Sequence, residues 1–104
     1  GDTIVGYAYA STWKTKPAYK HSAETTIYMH PDYHAKGVGL RLYNALLTCL
    51  PLYQIVNAIA CLTVPNEASE GLHQKLGFKR VGRFDKVGFK NEQWLDVEYW
   101  QRYV

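Results

Sequence analysis

The sequence predicts an α/β layered fold, a mixed sheet whose elements run β-β-α-β-α-β-β. Three observations carry that expectation. Runs rich in Val, Ile, Thr and Tyr alternate with two stretches of helical periodicity, which points to helices layered on a sheet. Residues 55–64, "IVNAIACLTV", are almost continuously apolar, the pattern of a strand covered on both faces. The chain also begins and ends in pairs of strand-like runs, so part of the sheet is antiparallel.

Each element has a local reason. Residues 4–11, "IVGYAYAS", form a β-rich run led in by Gly1 and Asp2, a hairpin-turn pair. Residues 12–22 are a polar loop that carries Trp13, Pro17 and Tyr19. A second strand is expected over 23–30, "AETTIYMH", from its Thr, Ile and Tyr content, with Pro31 and Asp32 ending it. A glycine-bearing turn then leads into a helix from about 37 to 50. There Val38, Leu42, Leu46 and Leu50 recur at steps of four beside Tyr43 and Leu47, while Arg41, Asn44 and Thr48 gather opposite. Pro51 follows that helix. Pro65 and Asn66 open a shorter helix over 67–76, with Ala68, Leu72 and Leu76 on one stripe and Gly77 just past its end. The last 26 or so residues read as two strands about a turn near 90–93. No repeat, linker or low-complexity stretch interrupts residues 1–104, which are read as one domain.

Composition narrows the function classes. With 104 residues, 47% of them apolar, the chain is long enough for one modest core and too apolar for disorder. A formal charge of +3 is too small to argue for nucleic acid and is compatible with an anionic ligand. Cys49 and Cys61 have neither CxxC nor zinc-type spacing, so free, buried thiols in a reducing cytoplasm are expected, with no metal. No apolar run approaches the ~20 residues of a membrane span, so no membrane association is expected.

The stretch "HAKGVG" brings a row of backbone N–H groups to a helix N-terminus, where the first four lack intrahelical partners and the dipole favours an anion. Neither GxxxxGK[ST] nor GxGxxG is present, and a Gly-x-Gly turn alone is also an ordinary structural device. Its surroundings are more specific. "R/Q-x-x-G-x-G/A" between a strand and an amphipathic helix is the coenzyme A pyrophosphate loop of the GNAT superfamily of N-acetyltransferases, and "HQKLGF" resembles that superfamily's second signature. "GYAYASTWKTKPAYKHSAETTIYMHPDYHAKGVGLRLY", "LTVPNEASEGLHQKLGFKRVG" and "GFKNEQWLDVEYWQRY" resemble, in order and spacing, its phosphinothricin and amino-acid N-acetyltransferase branch. The likeness covers nearly the whole chain. The elements that such enzymes carry before this region are expected to be missing, since the chain opens at once on a strand.

The resemblance implies an acetyl-CoA-dependent N-acetyltransferase acting on the α-amine of a small amino acid or analogue, of the phosphinothricin or methionine sulfone type. It implies that the pantetheine arm pairs with the backbone of Ile27, Tyr28 and Met29. The diphosphate would sit on the amides of Ala35, Lys36, Gly37, Val38, Gly39 and Leu40. Asn66 matches a CoA-contacting asparagine, and it also reads as the N-cap of helix 67–76. Glu24 matches the family's base, and a glutamate inside an apolar strand suits that role. His73 stands where many members have a tyrosine that protonates the departing thiolate. It is the second catalytic candidate, with a helix-packing role as its plain alternative. An N–H near Tyr28 and Met29 would serve a developing oxyanion. Trp13, Lys16 and Tyr19 match positions that line the amino-acid pocket, although aromatic loop residues also serve as core edges.

Three departures bear on this. His34 stands where the loop motif starts with Arg or Gln, so weaker cofactor grip is expected. Lys16 replaces an arginine common in this branch, exchanging a fork for a point charge. Glu92 and Gln93 occupy a turn where relatives tend to be small or basic. The alternatives are a catalytically weak CoA-binding or interaction module, or an acetyltransferase for another small amine. A homodimer is expected, because the missing elements would leave a sheet face uncovered.

Overall fold

A computed structural model of the chain describes residues 5–30, 32 and 37–104. Its elements are β1 (Gly6–Thr12), β2 (Ser22–Met29), α1 (Val38–Cys49), β3 (Asn57–Val64), α2 (Glu67–Lys75), β4 (Lys79–Lys90) and β5 (Gln93–Tyr103). The order is the expected one, with short 3-10 turns at Pro17–Tyr19 and Leu50–Tyr53 that the pattern did not reveal.

The five strands lie in the order β1-β2-β3-β5-β4. β2 and β3 are parallel, joined by a crossover through α1, and the remaining neighbours are antiparallel. The β4–β5 turn is Asn91-Glu92, both left-handed at φ 52° and 60°, a conformation that suits Asn better than Glu.

Both helices pack on one face of the sheet. Tyr43 of α1 meets Thr25 of β2 and His73 of α2, while His73 also meets Trp100 of β5. The core on that face joins Tyr43, Leu47 and Leu50 to Ala58, Ala60, Leu62, Val64, Leu76, Phe78 and Trp100. Strand alternation sends Glu24, Ile59, Cys61 and Tyr99 to the other face, opposite their neighbours in register.

Four expectations are corrected. α1 and its C-cap bury Tyr43, Leu47 and Leu50 of the expected face, but the buried row is centred on Gly39, Tyr43 and Leu47, and Val38, Leu42 and Leu46 lie half-buried at its edge. In α2 the buried side chain is His73, while Ala68 is exposed. β3 is covered on both faces only at its start, where Ile59 is buried on the side away from the helices. Ala58, Ala60, Leu62 and Val64 face the helices, whereas Cys61 and Thr63 are exposed on the open side. Neither cysteine is buried as expected: Cys49 of α1 and Cys61 of β3 are both free and exposed, although the Cys61 sulfur is partly shielded.

Candidate functional site

The parallel ladder between β2 and β3 pairs Ser22, Ala23 and Glu24 with Asn57, Ala58 and Ile59, and among the described residues it stops there. The two strands part beyond Glu24, although each continues to Met29 and Val64. A cavity of about 730 Å³ opens along that parting. Ile27, Tyr28 and Met29 form one wall, Asn66 to Ser69, Gly71, Leu72 and Lys75 of the α2 region the other, and Gly37, Gly39 and Leu40 the mouth. Its size falls within the ~300–1,000 Å³ range of small-molecule sites.

The mouth depends on glycine at two places. Gly37 is the N-cap of α1 with φ 71°, a left-handed backbone that other residues adopt at a cost. A Cβ on Gly39 would lie 3.2 Å from Met29 Cγ, a tight contact that the methionine side chain would have to give way to, so glycine eases the close approach of α1 to the end of β2. The amides of Val38, Gly39 and Leu40 precede the first intrahelical bond, from Arg41 N–H to the Gly37 carbonyl at 3.2 Å. Val38 is half-buried and does not line the cavity. Ala35, Lys36 and His34 lie outside the described residues. Asn66 occupies both of its expected places, since it lines the cavity and its Oδ1 accepts the Ser69 N–H at 3.1 Å. Its own N–H donates to Glu70 Oε2, closing the cap.

A second cavity of about 80 Å³ lies at the base of the cleft, lined by Thr25, Ile27 and His73 from the helix side and by Thr26 and Cys61 from the open side. It therefore spans the sheet where the strands part. His73 is 2% exposed and both ring nitrogens are engaged, Nδ1 with the Ser69 carbonyl at 2.7 Å and Nε2 with the Tyr43 hydroxyl at 3.0 Å. Burial holds its pKa below the ordinary 6.5, against the opposing pull of the Ser69 carbonyl, so the ring is neutral at pH 7.

Glu24 does not meet His73. It is half-buried on the open face, beside Ser11 of β1 and Ile59 of β3 in register. Its charge reaches Cys61 and Tyr99, which hydrogen-bond each other. Burial, moderated by the Tyr99 bond, pushes the Cys61 thiol up, and Glu24 adds to the rise. The Tyr99 hydroxyl is raised chiefly by Cys61. Trp13 and Tyr19 come together edge to face at 5.6 Å, and the Lys14 ammonium lies 5.2 Å from the Trp13 ring. Lys16 is exposed, and neither cavity includes Trp13, Lys16 or Tyr19.

Sequence reasoning missed Thr25 and Tyr43, and also the α2 wall. For the wall a signal existed: Ala68, Gly71, Leu72 and Lys75 follow i, i+3, i+4, i+7 spacing and all line the cleft. That stripe borders the cavity, with Leu72 also packing against the core.

Comparison with known proteins agrees with this geometry. The acetyltransferase (GNAT) domain matches residues 1–99. The phosphinothricin N-acetyltransferase of Streptomyces coelicolor is 40% identical over 99 residues, 95% of this chain and 58% of the relative. The L-methionine sulfoximine/L-methionine sulfone acetyltransferase of Pseudomonas aeruginosa is 32% identical over 94% of this chain and 57% of its own. A phosphinothricin acetyltransferase from Sinorhizobium meliloti, solved in complex with acetyl-CoA, superposes with a TM-score of 0.90 at 34% identity, covering 96% of this chain and 54% of that one. The chain thus spans somewhat over half the length of these relatives.

Proposed function

The chain belongs to the GNAT acetyltransferase family, and on that premise we propose that it moves an acetyl group from acetyl-CoA to the α-amine of a small amino acid or analogue. Compounds of the phosphinothricin or methionine sulfone type are the proposed acceptors, from the activities that two relatives are named for. The single observation that carries the reading is the parting of β2 from β3 beside the glycine-capped start of α1.

The residues present fit the cosubstrate. Amides at the positive end of α1, with Gly37 and Gly39 bare of side chains, suit a diphosphate at the mouth. Ala35 and Lys36 belong to the same proposed cradle. The backbone of Ile27, Tyr28 and Met29 offers an extended edge to the pantetheine arm. Bound in that cleft, acetyl-CoA supplies a thioester-activated acetyl group. The chain's own work is then to orient it, shield it and move protons. An ammonium cannot attack, so Glu24 takes its proton on the open face. His73 is the second proposed catalytic group, on the helix side of the small cavity, which Glu24 itself does not line. This division brings the amine from the open side and the acetyl group from the helix side. Trp13, Lys16 and Tyr19 are proposed to contact the acceptor from the β1–β2 loop. The exposed, free thiols suit a reducing compartment such as the cytoplasm.

Calorimetry with acetyl-CoA and a thiol-release assay over an amino-acid panel test the proposal. Glu24→Gln is expected to lose turnover by about 100-fold or more while retaining cofactor affinity. Tight cofactor binding without turnover on any amine would favour a CoA-binding module, and no uptake by folded protein would sink the reading.

A further inference from the structure

Thr25, Tyr43 and His73 form a buried chain of hydrogen bonds whose direction is determined. A carbonyl only accepts, so the contact of 2.7 Å to Ser69 requires that Nδ1 carry the imidazole proton. The ring is neutral, so Nε2 is bare and accepts the Tyr43 O–H at 3.0 Å. The Tyr43 oxygen in turn accepts from the Thr25 hydroxyl at 2.6 Å. All three residues are at most 4% exposed. The order Thr25 to Tyr43 to His73 to Ser69 carbonyl is the arrangement that satisfies every group while the imidazole stays neutral.

The chain also joins the three elements that bound the cleft. Thr25 is the first residue of β2 past the last ladder pair, Glu24 with Ile59. Tyr43 belongs to α1, whose N-terminus forms the mouth, and His73 to α2, which forms the far wall. Thr25, Ser69 and His73 line the small cavity together. Resting on the acetyl-transfer reading of that cleft, we propose that Tyr43 and Thr25 are positioning residues of the site. They hold His73 in its Nδ1–H tautomer and tie β2 to both helices where the strands part. Any proton that His73 exchanges through Nε2 then passes by way of Tyr43. Among the described residues Phe78 and Trp100 also pack against the ring, and behind Trp100 its indole N–H bonds Glu98, which is paired with Arg80 and faces Arg83.

Long-range proton–nitrogen NMR on the 104-residue chain reads the tautomer directly. The wild type is expected to show Nδ1–H with an unprotonated Nε2. In Tyr43→Phe the Nε2 resonance should shift and the midpoint for His73 protonation should rise, because a donor to the neutral ring is gone. Turnover should fall by about 10-fold to 100-fold with acetyl-CoA affinity little changed. Thr25→Val should follow it and Thr25→Ser should restore wild-type behaviour, a pair that decides the matter if Tyr43→Phe does not fold. An Nε2–H tautomer in the wild type, or wild-type turnover in folded Tyr43→Phe, overturns the proposal. Should the wild type turn over no amine at all, the functional reading fails and the tautomer measurement still decides the chain.

Discussion

At Tyr43 the hydroxyl lies wholly out of water, and burial pushes its pKa up to about 12, the bond from Thr25 pulling slightly the other way. His73 beside it is displaced downward, mainly by burial. The two shifts set the pH range of stability. For His73 the unfolded chain binds the proton more readily, so stability present above about pH 6.5 declines as pH falls toward the lowered native value. For Tyr43 the unfolded chain loses its proton first, so stability present below pH 10 declines as pH rises toward 12, by about 2–3 kcal/mol in all. Urea unfolding across pH is expected to show a plateau between those limits, and Tyr43→Phe is expected to flatten its alkaline side. Glu24 and His73, the proposed catalytic groups, were candidates from the sequence, because matching a motif needs only order and spacing. Thr25 and Tyr43 could not. One looked like a strand threonine and the other like part of an apolar helix face, and their hydroxyls meet across 18 residues of chain.

The elements were legible because their causes are local: β-branched runs, helical periodicity, proline and glycine at the stops. Ends differ by one or two residues, as with β3 beginning at Asn57 where a strand from 55 was expected. What each helix faces was less legible. The stripe Ala68–Gly71–Leu72–Lys75 has the spacing of a buried face, yet it borders the cleft, and periodicity cannot distinguish a neighbour from a void. Asn66 is where local structure and the proposed function coincide. Asn66→Ala is expected to lower stability by about 1 kcal/mol and to weaken acetyl-CoA binding as well. Thermal denaturation measures the first and calorimetry the second. A loss of stability with unchanged affinity would leave Asn66 as a cap alone.

For the molecule as a whole, the side of the sheet away from the helices sets the remaining expectations. Tyr7 stacks on Tyr28 at 5.1 Å and lies 6.2 Å from Tyr9, all three exposed there. From that exposed stripe we propose a homodimer, for which sedimentation at high concentration is expected to show a species of twice the monomer mass and for which monomer alone would be contrary evidence. Cys49 and Cys61 should both react with a disulfide reagent without denaturant. Cys61 should react more slowly, because its thiol is raised and the thiolate is the nucleophile. Acetyl-CoA should protect Cys61, which lines the small cavity, and leave Cys49 unchanged.

By itself the sequence determined the order of the elements, the glycine start of α1 and the family, because each rests on residues close together in the chain or on a linear motif. Only the tertiary structure decided that β2 and β3 part after Glu24, that one face of β3 is open beyond its start, and that a directed polar chain crosses the core. Those features depend on which side chains meet across the sheet, and that is set when helices and strands pack, not when they form.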